Sequence, residues 1–181
     1  MKLEELARQS SEWLRGSGPE SDIVISCRIR LARNLANHPF IRRCSDTDLA
    51  AIERTLYETL QSEPKLQDVG YVNLKMLSEI DRQFLVERQL ISREHADSNG
   101  ARAVAIHPEE KFSLMINEED HLRIQVMNSG LDLDATWEQT DAIDDVVEEH
   151  LSYAFHQRLG YLTACPTNVG TGMRVSVMFH L

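Results

Sequence analysis

The sequence has few cysteines and no long apolar run, and both absences narrow the kind of protein it encodes. Cys27, Cys44 and Cys165 are odd in number and far apart, which favours a reducing cytoplasm over a disulfide framework. No apolar stretch approaches the length of a membrane span, and no secretory signal opens the chain. No His/Cys spacing is typical of a zinc site. We therefore expect a cytoplasmic protein with no membrane partner and no metal held by protein ligands.

A net positive charge is also lacking. The 29 acidic side chains outnumber the 19 Lys and Arg residues, and the formal net charge is −10. This balance argues against a general affinity for nucleic acid or for anionic membranes, so no direct nucleic-acid partner is expected. The 181 residues suffice for one domain of ordinary size, or for part of a larger one.

Hydrophobic periodicity predicts an α+β fold, in which helices flank a largely antiparallel β-sheet. A Gly-Ser-Gly-Pro break at 16–19 predicts an N-terminal helix and linker over 1–20, followed by the main domain over 21–181. Predicted helices cover 3–14, 46–61, 78–89 and 132–157, with Ser45 and Ser78 as caps. Predicted strands cover 22–25, 71–76, 101–107, 112–116, 122–127 and 173–181, and residues 92–100 are predicted to form a mobile loop. On the last helix, the stripe expected to face inward is Leu133, Trp137, Ile143, Val147, Leu151 and Phe155.

The most informative stretch is 117–123, Asn-Glu-Glu-Asp-His-Leu-Arg, between two predicted strands. Three adjacent carboxylates repel each other, and Asn-Gly or Asp-Gly would turn a hairpin more readily. The acidic side chains therefore either project into water or serve a cationic ligand. A solvated turn is the usual behaviour of such a run, but two further runs favour the ligand.

Both further runs suit a polyanion. Residues 165–174, Cys-Pro-Thr-Asn-Val-Gly-Thr-Gly-Met-Arg, bring glycines that allow close backbone approach, followed by an arginine. In residues 26–34, Ser-Cys-Arg-Ile-Arg-Leu-Ala-Arg-Asn, Arg28 and Arg30 point to the same face of a strand. Two adjacent guanidinium groups are costly unless an anion lies between them. We expect Arg33 and Arg42, which lack such a context, to be surface charges.

Together the three runs resemble the ATP:guanido phosphotransferases, the family of creatine and arginine kinases, and most closely its bacterial protein-arginine kinase branch. The resemblance covers 22–34, 85–92, 116–125 and 153–181 in the family's order. It implies a kinase that transfers the γ-phosphate of ATP to arginine side chains in proteins, with Mg²⁺ bridging the phosphates. The chain resembles the first half of that catalytic domain.

The resemblance also implies roles for particular residues. Glu119 matches the family's catalytic carboxylate, and Cys165 matches the cysteine that lies against the guanidinium. Glu118 and Asp120 are expected to support the turn, the magnesium shell or the arginines, and His121 either orients the turn or is structural. The implied nucleotide-binding set is Ser26, Cys27, Arg28, Ile29, Arg30, Gln89, Arg123, Arg174, Val175, Ser176, Val177 and Met178. Two of these residues depart from the family pattern. The family usually has histidine at the position of Gln89 and serine at the position of Cys27.

Substrate choice depends on what precedes the matched region. Small-guanidine kinases carry a helical domain there, whereas this sequence has a short helix and the Gly-Pro break, which favours protein arginine. The family continues beyond residue 181 for a comparable length, so little or no kinase activity is expected of this chain alone. The resemblance implies an activating adaptor, a stress-response repressor or protease system, and a homo-oligomer at full length. Two alternatives are a catalytically silent nucleotide- or partner-binding module and a fragment of a small-guanidine kinase.

Overall fold

A six-stranded antiparallel sheet with strand order β2-β3-β4-β5-β1-β8 organises the computed structural model, which describes residues 3–180 apart from the side chains of residues 4 and 5. Its strands are β1 (Val24–Arg33), β2 (Gly70–Asn73), β3 (Ala103–Ile106), β4 (Phe112–Ile116), β5 (Leu122–Ser129) and β8 (Met173–Phe179). Strands β6 (Phe155–His156) and β7 (Gly160–Tyr161) form a separate ribbon. The helices are α1 (Leu3–Leu6), α2 (Asp46–Ser62), α3 (Glu79–Glu87), α4 (Arg93–Ala96) and α5 (Leu133–Glu148). The predicted α+β class with a largely antiparallel sheet is confirmed.

Two helices begin at the predicted caps. The Ser45 hydroxyl accepts from the Asp48 amide at 3.2 Å, and the Asp48 carboxylate accepts from the Ser45 amide at 2.8 Å. Ser78 and Asp81 form the same reciprocal pair at the start of α3. Each pair satisfies amide groups that the first turn would otherwise leave without partners.

The two faces of the sheet are covered differently. On one face, α2 and α5 pack over the central strands, where Ile52 and Val147 join Leu31 and Ile124 in a fully apolar cluster. On the other face, α3 and α4 cover the end formed by β2, β3 and β4, and the 3₁₀ turn of the N-terminal segment also reaches β5 and β1. The opposite end of that second face, formed by β5, β1 and β8, presents mainly polar side chains. The helices therefore leave a recess over three strands, and the candidate site lies there.

The N-terminal segment is less helical than predicted. Only α1 and a 3₁₀ turn at Glu12–Leu14 form within the predicted 3–14 helix. Between them the chain is held from outside, because Arg88 donates to the carbonyl groups of Leu6 and Gln9 and the Trp13 indole donates to the Arg88 carbonyl. These tertiary contacts replace the hydrogen bonds that a continuous helix would have made, and they pack the segment onto the sheet.

The predicted 132–157 helix ends at Glu148, and its buried stripe differs from the prediction. Ile143 and Val147 are buried, but Trp137 is 40% and Phe155 58% exposed, so the prediction was wrong for those two side chains. Thr136 and Thr140 lie against the sheet instead, with their hydroxyl groups bonded to the helix's own carbonyl groups.

Other boundaries moved as well, and the strand predicted over 22–25 extends over Val24–Arg33. The predicted loop 92–100 contains α4, whose His95 is fully buried. The predicted 71–76 strand ends at Asn73 and continues as a 3₁₀ turn, and residue 181 of the predicted last strand lies outside the described residues. Among residues 3–180, no helix is both long and apolar enough to cross a membrane.

Candidate active site

Four arginines from three strands lie on the open part of the sheet. On β1, Arg30 is opposite Arg174 of β8, and Ala32 is opposite Arg123 of β5. Because alternate residues of a strand share a face, Arg28 lies on this face too. All four arginines line one compartment of about 680 Å³. The sheet register thus concentrates positive charge in an acidic protein.

Among the described residues, three of these arginines, Arg28, Arg30 and Arg174, have no acidic partner within ion-pair distance, and two of the three are partly buried. Arg28 donates from Nε to the Ser176 hydroxyl at 3.2 Å and from Nη1 to the Gln89 side-chain oxygen at 3.3 Å, and both acceptors are neutral. Within the described residues, the buried Nε of Arg30 has no hydrogen-bond partner. An unpartnered buried donor is costly unless a ligand accepts from it.

The pKa values of these two side chains reflect the same shortage of negative charge. Burial, and then the neighbouring Arg174 and Arg123, lower the pKa of Arg28. Burial, and then Arg28, Arg123 and Arg174, lower the pKa of Arg30 to about 10. An anion bound between the guanidinium groups would relieve both effects, and planar guanidinium forks suit phosphate oxygens.

Arg123 is the arginine with acidic partners. Its Nη1 donates to Glu118 at 2.9 Å and its Nη2 to Glu119 at 3.2 Å. Glu118 is buried, and it also accepts from the Ser92 hydroxyl at 2.7 Å and from the Glu119 amide at 2.6 Å. The Glu119 side chain is 38% exposed and faces the compartment. Glu118 therefore fixes the turn, and Glu119 keeps an accessible carboxylate.

The acidic turn is held by hydrogen bonds from most of its other polar side chains to the surrounding fold. Asn117 adopts a positive φ of 60°, and its side-chain amide donates to the carbonyl groups of Leu49 and Ala101. His121 accepts from the Leu35 amide and donates to the Pro39 carbonyl, so it is a structural histidine. The alternative in which the acidic side chains project freely into water does not hold for Glu118 and Asp120, which are buried.

Asp120 connects the acidic turn to the segment that carries Cys165. One oxygen of its fully buried carboxylate accepts from the Asn34 side chain at 2.6 Å and from the Ala164 amide at 2.7 Å. In the sequence, Glu119 directly precedes Asp120, and Cys165 directly follows Ala164. A single carboxylate therefore sets the separation between the two candidate catalytic side chains.

Cys165 lines the same compartment as Glu119 and Arg174. Its Sγ lies 3.0 Å from the Thr167 hydroxyl, at the start of a 3₁₀ turn formed by Pro166–Asn168. The chain then turns at Gly172, whose φ is +66° and where a Cβ would lie 2.6 Å from the Ala32 carbonyl oxygen. Only glycine fits this approach, which brings the segment against β1.

A second compartment of about 410 Å³ adjoins the first and shares Arg28, Arg30, Ser92 and Arg123 with it. Gln89 lies in its wall at a positive φ of 62°, and its carbonyl accepts from the Gln125 side chain at 2.6 Å. The remainder of the wall is partly apolar, contributed by Val86, Ile91 and Met115. We call the two compartments together the cleft.

Several predicted nucleotide-binding residues have side chains elsewhere. Cys27 and Ile29 are buried on the helix-covered face, where the Cys27 Sγ lies 3.2 Å from the Thr136 hydroxyl. Val175 and Val177 are opposite them on β8 and share that face. The alternation of the strands thus directs these four side chains away from the cleft. Ser26 and Met178, paired with each other, do not line the cleft either, whereas Ser176 reaches it through Arg28.

Of three other arginines, Arg33 was misjudged, Arg102 was missed and Arg42 is exposed as expected. Arg33, expected at the surface, is only 3% exposed and forms an ion pair with Asp144. Arg42 lines the larger compartment, as does Arg102, which donates to the Glu118 carbonyl at 2.8 Å. Strand parity could have identified Arg33, since it shares the helix-covered face with Leu31. No local signal marks Arg102, because residues distant in the sequence meet there.

The cleft suits an anion better than a bare cation. Within residues 3–180, no group of three or more His, Cys, Asp or Glu side chains is arranged to hold a metal ion. The guanidinium groups could hold a polyphosphate, and Glu119 with Cys165 could face a cation bound beside it. The geometry therefore accommodates a negatively charged group and a positively charged group next to each other.

Known proteins share the sequence over the whole cleft. The family description ATP:guanido phosphotransferase, C-terminal catalytic domain, matches residues 51–181. A protein-arginine kinase from Symbiobacterium thermophilum is 49% identical, covering 97% of this chain and 51% of that relative. A protein-arginine kinase from Halothermothrix orenii is 44% identical, covering 100% of this chain and 52% of that relative. The chain thus spans about half the length of the curated relatives it matches.

Solved structures share the fold. Lombricine kinase superposes with a TM-score of 0.81 at 27% identity, covering 96% of this chain and 53% of that structure's chain. The substrate-free duplicated taurocyamine kinase from Schistosoma mansoni gives a TM-score of 0.79 at 27% identity, covering 93% and 26%. Because the family description matches well over half of the sequence and these kinases share the fold, the chain belongs to the ATP:guanido phosphotransferase family.

Proposed function

We propose that this chain contributes the phosphate clamp and the guanidinium-orienting carboxylate of an ATP-dependent protein-arginine kinase. The observation that carries the proposal is the single compartment lined by Arg28, Arg30 and Arg174 on one side and by Glu119 and Cys165 on another. Phosphoryl transfer needs positioning and charge neutralisation more than covalent help. Both requirements match what these five side chains offer.

The phosphate chain of ATP would lie among the arginines. Arg28 and Arg30 have no acidic partner, and the Arg30 Nε has no acceptor within the described residues. Phosphate oxygens would supply those acceptors. The adjoining compartment, with its apolar Val86, Ile91 and Met115, offers room for the nucleoside. Mg²⁺ would be held mainly by the phosphates and by water, and it would neutralise charge between the β- and γ-phosphates.

The arginine side chain to be phosphorylated would lie against Glu119. Its nitrogen is a poor nucleophile because the group is protonated and its lone pair is delocalised. Glu119 would orient the guanidinium and take the proton that the attacking nitrogen loses, as the N–P bond forms and the bond between the γ-phosphorus and the bridging oxygen breaks. ADP then leaves with that oxygen. The Cys165 sulfur would lie beside the guanidinium and help to align it, without forming a covalent intermediate.

Calorimetric titration with MgADP, nitrate and an arginine-containing peptide tests both halves of the proposal. Arg174→Ala should abolish the nucleotide heat, and Glu119→Ala should abolish the peptide response while nucleotide binding remains. Arg54→Ala, at an exposed position of α2 remote from the cleft, serves as the control. Retention of full nucleotide heat by Arg174→Ala would contradict the clamp.

The choice of protein arginine as substrate is supported by the relatives named protein-arginine kinase, which are 44–49% identical, against 27% for lombricine kinase. Mass spectrometry after incubation with ATP and an unstructured protein tests it. Phosphate on free arginine but never on protein would reject the choice in favour of a small-guanidine kinase.

A second candidate is a nucleotide-binding module without turnover. One observation favours it: Glu119 is already paired with Arg123 at 3.2 Å, which reduces its availability as a base. Because little or no turnover is expected of this chain alone, the test uses a protein extended to the full length of the matched relatives. Turnover of ATP to ADP in the presence of the peptide, at a rate that Glu119→Ala abolishes, then separates the two candidates. Nucleotide binding without such turnover would favour the silent module.

The remaining proposals rest on the family resemblance. They are an activating adaptor, a stress-response repressor or protease system as partner, a role in protein quality control, a cytoplasmic location and a homo-oligomer at full length. One structural feature is compatible with further assembly, since β8 is at the edge of the sheet and Val175 and Phe179 are exposed. Such edges pair readily with another strand.

A further inference from the structure

Arg33 lies behind the cleft, on the face of the sheet that α2 and α5 cover. Its Nε donates to both oxygens of Asp144 at 3.1 and 3.0 Å, and its Nη2 donates to one of them at 2.5 Å. Its guanidinium carbon lies 3.7 Å from the centre of the Tyr161 ring. This cation is therefore paired, stacked and almost fully withdrawn from water.

The remaining nitrogen of Arg33 binds the segment that carries the cleft residues. Its Nη1 donates to the Thr171 carbonyl at 2.9 Å and to the Ala32 carbonyl at 3.0 Å. A Cβ on Gly172 would lie 2.7 Å from this nitrogen, so the turn and the guanidinium are in direct contact. Arg174 follows two residues later, at the beginning of β8.

Two neighbouring contacts fix the same turn. The Ala32 amide donates to the Gly172 carbonyl at 2.9 Å. Tyr161, the residue on which Arg33 stacks, exchanges backbone hydrogen bonds with Gly170 at 2.8 and 3.2 Å. The Arg33 side chain therefore touches the turn directly and also through Tyr161.

A buried ion pair of this kind contributes little net stability, because desolvation offsets much of the attraction. Its geometry is more specific than an apolar contact, because a planar fork fixes two acceptors in one orientation. Asp144 belongs to α5 and Thr171 to the turn before β8. The pair thus connects the position of a long helix to the position of a cleft segment.

We propose that Arg33, anchored by Asp144, is a positioning residue that holds the turn at 170–172 so that Arg174 and Cys165 face the bound nucleotide and its acceptor. The inference rests on the proposed function, since it concerns the same cleft. Arg33 itself touches no ligand. It acts through the turn alone. Substituting it should therefore change ligand affinity only through the positions of Arg174 and Cys165.

A double-mutant cycle on MgADP affinity tests this role. Arg33→Lys keeps the charge but has one nitrogen, which cannot serve Asp144 and Thr171 together. We expect it to weaken MgADP binding about fivefold or more in the parent chain, but less than about twofold in an Arg174→Lys background. An equal loss in both backgrounds, or no loss in the parent, would overturn the inference.

Tyr71→Phe provides the matched control. It removes a partly buried hydrogen bond from Tyr71 to Glu53 at 2.8 Å, on β2 at the far edge of the sheet. It should lower stability yet leave MgADP affinity unchanged in both backgrounds. A loss of affinity with Tyr71→Phe as large as with Arg33→Lys would mean that general destabilisation, not positioning, governs binding.

Hydrogen exchange separates failure of this inference from failure of the proposed function. The Gly170 and Gly172 amides donate to the Tyr161 and Asn168 carbonyl groups, respectively. In Arg33→Lys, their exchange should accelerate about tenfold, while amides of β3 keep the parent rate. If the parent chain binds no MgADP, the proposed nucleotide function fails, but the exchange experiment still tests the anchoring role. Unchanged exchange at these two amides in Arg33→Lys would overturn that role.

Discussion

Strand β1 carries arginines on both of its faces, and the two faces differ in the partners that they offer to the guanidinium groups. On the open face, Arg28 contacts only neutral acceptors and Arg30 has an unsatisfied Nε within the described residues. On the covered face, Arg33 has a carboxylate, two carbonyl groups and an aromatic ring. A buried cation whose donors are all satisfied holds its neighbours in place, whereas one with an unsatisfied donor is available to an anion. The fold thus separates a fully paired arginine from the two candidate phosphate-binding arginines within six residues.

Breaking the satisfied pair should have the largest effect. Asp144→Ala leaves the Arg33 guanidinium buried without its counter-charge, and we expect the free energy of unfolding to fall by about 3–5 kcal/mol. Urea denaturation followed by circular dichroism measures the change. The control is Asp145→Ala, at the exposed neighbouring position, which should stay within about 0.5 kcal/mol of the parent. Similar losses for the two variants would contradict the contrast between the faces.

Removing an unsatisfied arginine should affect binding and spare stability. Arg30→Gln removes a charge that its neighbours disfavour, so the free energy of unfolding should stay constant or rise. Affinity for MgADP should fall about tenfold to a hundredfold, the range for a lost charge-assisted hydrogen bond. Calorimetry and urea denaturation on the same preparation measure both. A variant that unfolds more easily without losing affinity would show that Arg30 supports the fold.

The buried His95 extends the comparison between satisfied and unsatisfied cationic side chains to a third position. His95 is fully buried, donates from Nε2 to the Ala103 carbonyl and leaves Nδ1 without a partner in the described residues, so the folded state keeps it neutral. Burial lowers its pKa from 6.5 to about 4, and the Ala103 hydrogen bond and Glu118 only partly oppose that effect. Between those values the unfolded chain binds more protons than the folded one, so stability falls as pH falls.

Thermal unfolding or urea titration between pH 6.5 and pH 4 measures this effect. The slope due to His95 should approach about 1.4 kcal/mol per pH unit within the window. His95→Asn should remove that part of the slope while acidic groups keep theirs. Identical slopes for the parent and the variant would mean that His95 becomes protonated in the folded protein.

Local chemistry predicted the elements whose cause is local. The capping boxes at Ser45 and Ser78 and the shared face of Arg28 and Arg30 follow from hydrogen bonding and strand parity within a few residues. Trp137 was misplaced because the packing of α5 against β1 decides its environment, which helical spacing does not encode, whereas strand parity with Leu31 could have placed Arg33 correctly.

The site divides in the same way. Motif resemblance brought Glu119, Cys165 and Arg174 together, and the structure places them in one compartment. Strand parity alone would have removed Val175 and Val177 from the list of side chains facing the nucleotide. The Asp120 bridge was beyond prediction, since Asn34 and Ala164 are 86 and 44 residues away from it along the chain.

The smallest expected effect concerns Asp120. Its side chain combines one satisfied and one unsatisfied polar atom, as the two faces of β1 combine satisfied and unsatisfied arginines. One oxygen accepts two hydrogen bonds, and the other is buried without a partner in the described residues. Asp120→Asn can keep the accepting oxygen and replaces the unpartnered one by an amide group, so the free energy of unfolding should change by less than about 1 kcal/mol. Asp120→Ala removes the acceptor from the Ala164 amide and one of the two acceptors of the Asn34 side chain, so it should lower the free energy of unfolding by about 1–3 kcal/mol. Urea denaturation of the two variants side by side measures the difference. If Asp120→Asn destabilises the protein as much as Asp120→Ala does, the carboxylate charge holds the turn and the accepting geometry does not.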